Sequence, residues 1–379
     1  MKEAEYDLVS MPYHYIVLEG SHYEVGYQLA SFLCQEPDAK KVYGSTEVNL
    51  KHVGFPDFDS LQAYCEECCP GVTDEIQGFA DRLGISPQTL PFWNWTFGPS
   101  LGGGCTQFVV LSSTTKNQHI YAGRSYEWIH TDDDLKLITT RVHGKANHIG
   151  FSSLLFGRLD GFNEHGLVVS MSSQSIFGVP FKHRAPMFWL ALRALLDQST
   201  SVTTALELLE TLPVTGYFTF MLVDRSDTAA LIEIADGVSR VQHITAESAE
   251  PFGFSVNHYR QPRMIEFNKL NCGMLRHSQL REALIRKWFA QHGSNLTKQH
   301  VQELLAREHP KGLSNPFYND GFGTLWSILF DITQGSVDVC FGAPTHNQYR
   351  RYDLTDPVGI TQVPTTIAIS KTRLWPLQE

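Results

Sequence analysis

The spacing of apolar residues changes partway along this chain. Ile76, Phe79, Ala80 and Leu83 recur three and four apart, which predicts one face of an amphipathic helix. Ser21 and Glu24 stand at capping-box spacing, so a helix is expected from there to about Cys34, behind a short strand over 15–20. Asp59 or Ser60 is placed to cap a helix running through Cys68, where Pro70 and Gly71 break it. Thr73 is placed to cap the next helix, which Gly84 ends, and Ser86-Pro87 reads as the cap and first residue of another. The first hundred residues therefore read as mostly helical and as a unit in themselves.

Beyond that point the pattern becomes that of strands, over 108–113, 119–128, 135–142, 148–156 and 166–172. Leu and Ala at helical spacing predict helices over 186–196 and 201–212. Strands return over 217–223, 229–235 and 252–256, and helices over 278–291 and 296–308. A hairpin pairs 324–331 with 336–341 around Thr333-Gln334-Gly335. Strands and helices in separate blocks predict an α+β fold of antiparallel sheets with segregated helix layers. No repeat is evident, and no linker divides two independent domains.

Composition narrows the function. With 42% hydrophobic and 18% charged residues among 379, the chain can bury a large core. Forty acidic against thirty basic residues leave a net charge of −10, which sets aside a general nucleic-acid partner. No apolar run is long enough to span a membrane, and the start, Met1-Lys2-Glu3-Ala4-Glu5, lacks the apolar core of a signal peptide. A cytoplasmic location is the default expectation. Cys65, Cys68 and Cys69 read as half a zinc site, a redox group, or core residues of a helix. No second Cys-x-x-Cys, close histidine pair, His-Glu-x-x-His or phosphate-binding glycine motif accompanies them, so neither metal nor cofactor is expected.

One stretch stands out chemically. Gly102-Gly103-Gly104 leads into Cys105, which opens an apolar, β-prone run. Glycines let other groups approach the backbone closely, as chemistry on a peptide bond requires. A glycine loop with Cys105 as a small core residue is the alternative. Arg124 and Glu127 lie on the next predicted strand, three apart, and in a regular strand would face opposite ways. A cation beside the thiol would favour thiolate. A surface ion pair next to a core Trp128 accounts for the same residues.

Gly104-Cys105-Thr106, followed by Gly123-Arg124-Ser125-Tyr126-Glu127-Trp128, resembles the autoproteolytic acyltransferases typified by acyl-coenzyme A:6-aminopenicillanic acid acyltransferase. These are N-terminal-nucleophile hydrolases, similar more distantly to choloylglycine hydrolases and penicillin V acylases. Gly20–Tyr27, Asp74–Ala80, Gly161–Leu167, Val256-Asn257-His258-Tyr259, Ser278-Gln279-Leu280-Arg281 and Gly323–Ser327 resemble further segments of the family, in the same order.

The resemblance implies a four-layer αββα sandwich with two antiparallel sheets, cut by self-cleavage between Gly104 and Cys105. A helical segment 1–104 would stay packed on a chain 105–379. Cys105 would act as nucleophile, Asn257 would donate to the oxyanion, and Arg124 and Glu127 would hold the thiol and the new α-amine. Ser173, Ser278 and Arg281 would support them, and Trp128, Met171 and Phe177 would line an apolar pocket. Asn257 as a turn-former and Ser278 as a helix N-cap are the alternatives. Glu127 departs from the family's usual aspartate, and Ser173 stands near where the bile-salt enzymes carry asparagine. The implied partner is a small acyl amide, or an acyl-coenzyme A with an amine acceptor, and a homo-oligomer is left open. A catalytically silent binding protein and a thiol sensor built on Cys65, Cys68 and Cys69 are the other readings.

Overall fold

A computed structural model describes residues 5–35, 38–97, 104–131, 134–174, 185–268 and 272–374, the side chain of Cys272 excepted. Gly102 and Gly103 of the glycine triplet, and Phe177 of the expected pocket, lie outside the described residues.

Two sheets face each other. The larger runs from Val238–Thr245 through Thr228–Ala235, Tyr217–Val223, Val168–Ser173, Asp160–Asn163, His148–Ser153, Lys136–Val142 and β1 (Tyr6–Gly20) to Gly359–Ser370. The smaller runs from Phe252–Ser255 through β2 (Gly104–Val110), β3 (Tyr121–Trp128), Phe322–Asp331 and Ser336–Phe341 to Arg350–Tyr352. Strand β2 lies over Val168–Ser173 and Tyr217–Val223 of the larger sheet. Its seven residues are all buried because a sheet covers one face and helices the other. Helices His22–Leu33, Phe188–Gln198 and Val202–Thr211 pack on the larger sheet. Cys272–His292 and Lys298–Ala306 cover the smaller one, where Ile285, Trp288, Val301 and Leu304 meet Phe108, Val110, Tyr121 and Phe254. The four-layer αββα arrangement follows. Among the described residues no helix is long and apolar enough to cross a membrane.

Several expectations are corrected. The N-terminal part is not a separate helical unit, because β1 runs through the larger sheet between Lys136–Val142 and Gly359–Ser370. The sheets are not wholly antiparallel either, since β1 pairs with Lys136–Val142 in parallel. The helix over Phe58–Cys68 is capped by Asp57, whose carboxylate accepts from Ser60 N, so Asp59 and Ser60 lie in its first turn. Gly71, not Thr73, precedes the helix Val72–Leu83, and Thr73 donates its hydroxyl to Glu66. The Ser21–Glu24 capping box is present as read.

Cys65, Cys68 and Cys69 are free and buried. Burial pushes the Cys68 thiol up to about 12 and raises Cys65 and Cys69 as well, which removes the thiolate that redox chemistry needs.

Candidate active site

Strand geometry divides the candidate residues between two faces. Cys105 pairs with Tyr126, and Gln107 with Arg124, across the β2–β3 ladder. Alternation turns Cys105, Gln107, Arg124 and Tyr126 into the space between the sheets. Gly104, Thr106, Ser125 and Glu127 turn toward the helix Cys272–His292. Arg124 and Glu127 therefore face opposite ways. Both are fully buried, which rules out a surface ion pair.

On the inter-sheet face, Arg124 Nη2 lies 3.8 Å from Cys105 Sγ. Arg124 Nε forms an ion pair with Asp160 Oδ2 at 2.8 Å, and Nη1 donates to the carbonyl of Met171. Trp326 Nε1 and Phe151 N donate to the two oxygens of Asp160. Gln107 donates to Thr219 O at 2.9 Å and to Ser255 Oγ at 2.8 Å, tying the sheets together beside the thiol.

On the helix face, Arg281 Nη1 donates to the Cys105 carbonyl and to Thr106 Oγ1, each at 2.7 Å. Arg281 Nη2 donates to Asn257 Oδ1 at 2.5 Å, and the same oxygen accepts from Cys105 N at 3.2 Å. Two donors on one atom identify it as the carbonyl oxygen. Asn257 Nδ2 donates to Ser173 O at 2.5 Å. Glu127 accepts from Ser125 Oγ and lies 4.0 Å from Arg281 Nη1. Gly104 has no room for a side chain. A Cβ there would stand 2.8 Å from both Glu127 Cβ and the Phe322 ring.

The electrostatics follow from burial. It pushes the Cys105 thiol up to about 11, with Arg124 pulling the other way. It also raises Glu127 against Arg281, raises Asp160 against Arg124, and lowers Arg281. The thiol is therefore neutral near pH 7 and needs a base to become a nucleophile.

The structure brings Cys105, Arg124, Asn257, Ser173, Ser278 and Arg281 together around one residue, with Glu127 behind the strand. Ser278 is not an N-cap, because its helix begins at Cys272; its Oγ accepts from Asn257 N at 2.9 Å. Met171 is buried in the main core, and Trp128 packs against that core half-buried. Asp160 and Gln107 were not anticipated. Asp160 carries the clearest signal in the sequence, a lone carboxylate in the run Leu159–Phe162, since a buried charge demands a partner.

Comparison with known proteins gives a family match. The profile of the acyl-coenzyme A:6-aminopenicillanic acid acyl-transferase family matches residues 113–346, more than half of the chain. That span holds Arg124, Glu127, Asn257, Ser278 and Arg281 and begins just past Cys105. No curated protein sequence matches. Similar solved structures include a penicillin V acylase from Agrobacterium tumefaciens, 15% identical, covering 68% of this chain and 90% of that one, TM-score 0.45. Another is a mutant conjugated bile acid hydrolase from Clostridium perfringens, 12% identical, covering 71% of this chain and 99% of that one, TM-score 0.41. On the family match, the chain belongs to the acyl-coenzyme A:6-aminopenicillanic acid acyl-transferase family.

Proposed function

We propose that this chain is a self-processing cysteine N-terminal-nucleophile enzyme that cleaves the amide of a small acylated substrate through a thioester acyl-enzyme. One observation carries the reading. The backbone N–H, carbonyl and thiol of Cys105 are each held by a different buried side chain: Asn257, Arg281 and Arg124. A core cysteine needs no such grip.

In the first step Sγ of Cys105 attacks the Gly104 carbonyl. The S–C bond forms, the Gly104–Cys105 C–N bond breaks, and the thiol proton ends on the departing nitrogen. Water hydrolyses the resulting thioester, which frees the Gly104 carboxylate, the thiol and the α-amine. With a reference pKa of about 8, that amine can accept a proton near neutral pH and relieve the unfavourable ionisation of the buried thiol. Asn257 Oδ1 already accepts a hydrogen bond at this nitrogen and keeps it beside Sγ. The thiol then attacks the substrate amide and expels the amine, and water or an acceptor amine resolves the thioester. Asn257 Nδ2 carries two hydrogens, one of them given to Ser173 O, and it must turn one of the two to the oxyanion to serve it. Arg124 supplies positive charge at Sγ, and Asp160 holds Arg124 in place.

Segment 1–104 is expected to remain bound after cleavage. Strand β1 is hydrogen-bonded on both sides, and Glu75 is paired with Arg193 at 2.9 Å. An acidic chain gives no help to a highly anionic thioester, which favours amide hydrolysis over coenzyme A-dependent transfer.

Intact-mass spectrometry of denatured protein tests the reading. Two fragments, 1–104 and 105–379, are expected from the wild type, and one uncut chain from Cys105→Ala. An active wild type that stays whole would overturn the mechanism. A panel of N-acyl amino acids, penicillin V, bile-salt conjugates and acyl-coenzyme A with amine then decides the substrate class. Free acid released from an amide supports hydrolysis, and fast aminolysis of the thioester without it reverses the preference.

A further inference from the structure

The dipeptide Asn257-His258 is gripped by one turn of the helix Cys272–His292. Ser278 Oγ accepts from Asn257 N at 2.9 Å and lies 2.8 Å from His258 Nδ1. His258 Nε2 lies 2.9 Å from Glu282 Oε2, and Arg281 holds the Asn257 side chain at 2.5 Å. Positions 278, 281 and 282 fall on one side of a helix, so a single rigid element supplies all three holds.

With the His258 ring neutral, the hydrogens in this chain take one order. The hydrogen bond from His258 holds Glu282 down to about 2, and Arg286 Nε donates to its other oxygen at 2.9 Å. Near pH 7 its carboxylate can only accept, so His258 Nε2 must carry a hydrogen. In the neutral ring Nδ1 is then an acceptor and takes the Ser278 hydroxyl hydrogen. That leaves the serine oxygen's lone pairs for Asn257 N–H. With a hydrogen on Nδ1, the Ser278 oxygen would instead accept from both His258 and Asn257 N, and its own hydroxyl hydrogen would turn away from the ring.

We propose that Glu282, His258 and Ser278 are positioning residues which, through this ordered chain, fix Asn257 against the Cys105 nitrogen. The kinetic consequence rests on the function proposed above, whereas the hydrogen order does not. None of the three needs to touch substrate. A small displacement of Asn257 costs turnover because its Oδ1 sets where the α-amine sits relative to Sγ.

Two measurements test this. Nitrogen-15 histidine spectra, with His258→Gln for assignment, should show His258 hydrogenated at Nε2 and not at Nδ1. A hydrogen on Nδ1 overturns the proposal even if the protein proves inactive, and wild-type inactivity by itself counts against the proposed function only. Steady-state kinetics on the processed enzyme supply the second readout. Glu282→Leu should lower kcat about tenfold with KM changed less than about twofold. Glu282→Gln, which keeps an acceptor for Nε2–H, should recover most of that loss. Unchanged kcat in Glu282→Leu, or equal losses in both variants, overturns the proposal.

Discussion

Glu75, Arg193 and Asp197 are buried as deeply as Cys105, Arg124, Glu127 and Arg281, yet the two groups stand in opposite electrostatic states. In the first, Arg193 pairs with Glu75 and Asp197 at 2.9 Å each, and His148 Nε2 lies 3.0 Å from Asp197. Burial alone would raise both carboxylates, but Arg193 overcomes it and holds them below their ordinary values. In the second, burial wins: Glu127 and Asp160 go up, Cys105 goes up and Arg281 goes down. Matched buried charges are a fastening, here joining a helix before the Gly104–Cys105 bond to a helix after it. Mismatched ones are held against their own preference by the fold, as reactive groups are.

The largest effect should come from the nucleophile. Cys105→Ala is expected to abolish self-cleavage and turnover together while leaving the melting temperature within a few degrees, read by mass spectrometry and calorimetry. Loss of folding in this variant would erase the contrast between the clusters.

Asn257→Ala should follow, with kcat lowered about a hundredfold and the fold retained, since the lost contacts act on the reacting atoms. Turnover left intact would remove Asn257 from the machinery.

Stability should respond in the other cluster. Arg193→Ala strands two buried carboxylates and should cost about 3–5 kcal/mol in denaturant unfolding. Glu127→Gln should be neutral or stabilising by about 1 kcal/mol yet slow processing, because it removes a charge that the fold does not favour. Equal destabilisation by the two changes would dissolve the distinction.

A further effect is in pH dependence. Burial drives His148 down to about 4 from 6.5, so the unfolded chain binds more protons within that window. Stability should therefore fall as pH drops from 6.5 toward 4, by about 3 kcal/mol at most for this group. His148→Gln should flatten that limb of the curve. Glu127 and Asp160, being raised, contribute with the opposite sign: stability is lost as pH rises through their folded values.

Much of this was legible in local sequence. The capping box at Ser21, the strand Tyr217–Val223 and the hairpin ending at Phe341 follow from patterns spanning fewer than about twenty residues. So does the placing of Cys105 at the head of a strand, and the alternation that sets Arg124 and Glu127 on opposite faces. What failed depended on distant partners. The chain before Tyr15 carries little strand signal, yet β1 begins at Tyr6 because Gly359–Ser370 pairs with it from the far end of the molecule. Ser278 reads as a cap from its neighbours alone. It became a buried hydrogen-bonding residue because its helix starts at Cys272, ahead of it, and Asn257 arrives from 21 residues away. Asp160 meets Arg124 only when the two sheets close on each other. Local patterns determined which segments are helix and which are strand, since hydrogen-bond geometry and apolar spacing act over a few residues. Which charges end up matched and which do not was decided by tertiary packing, because burial and pairing depend on what the rest of the chain brings alongside.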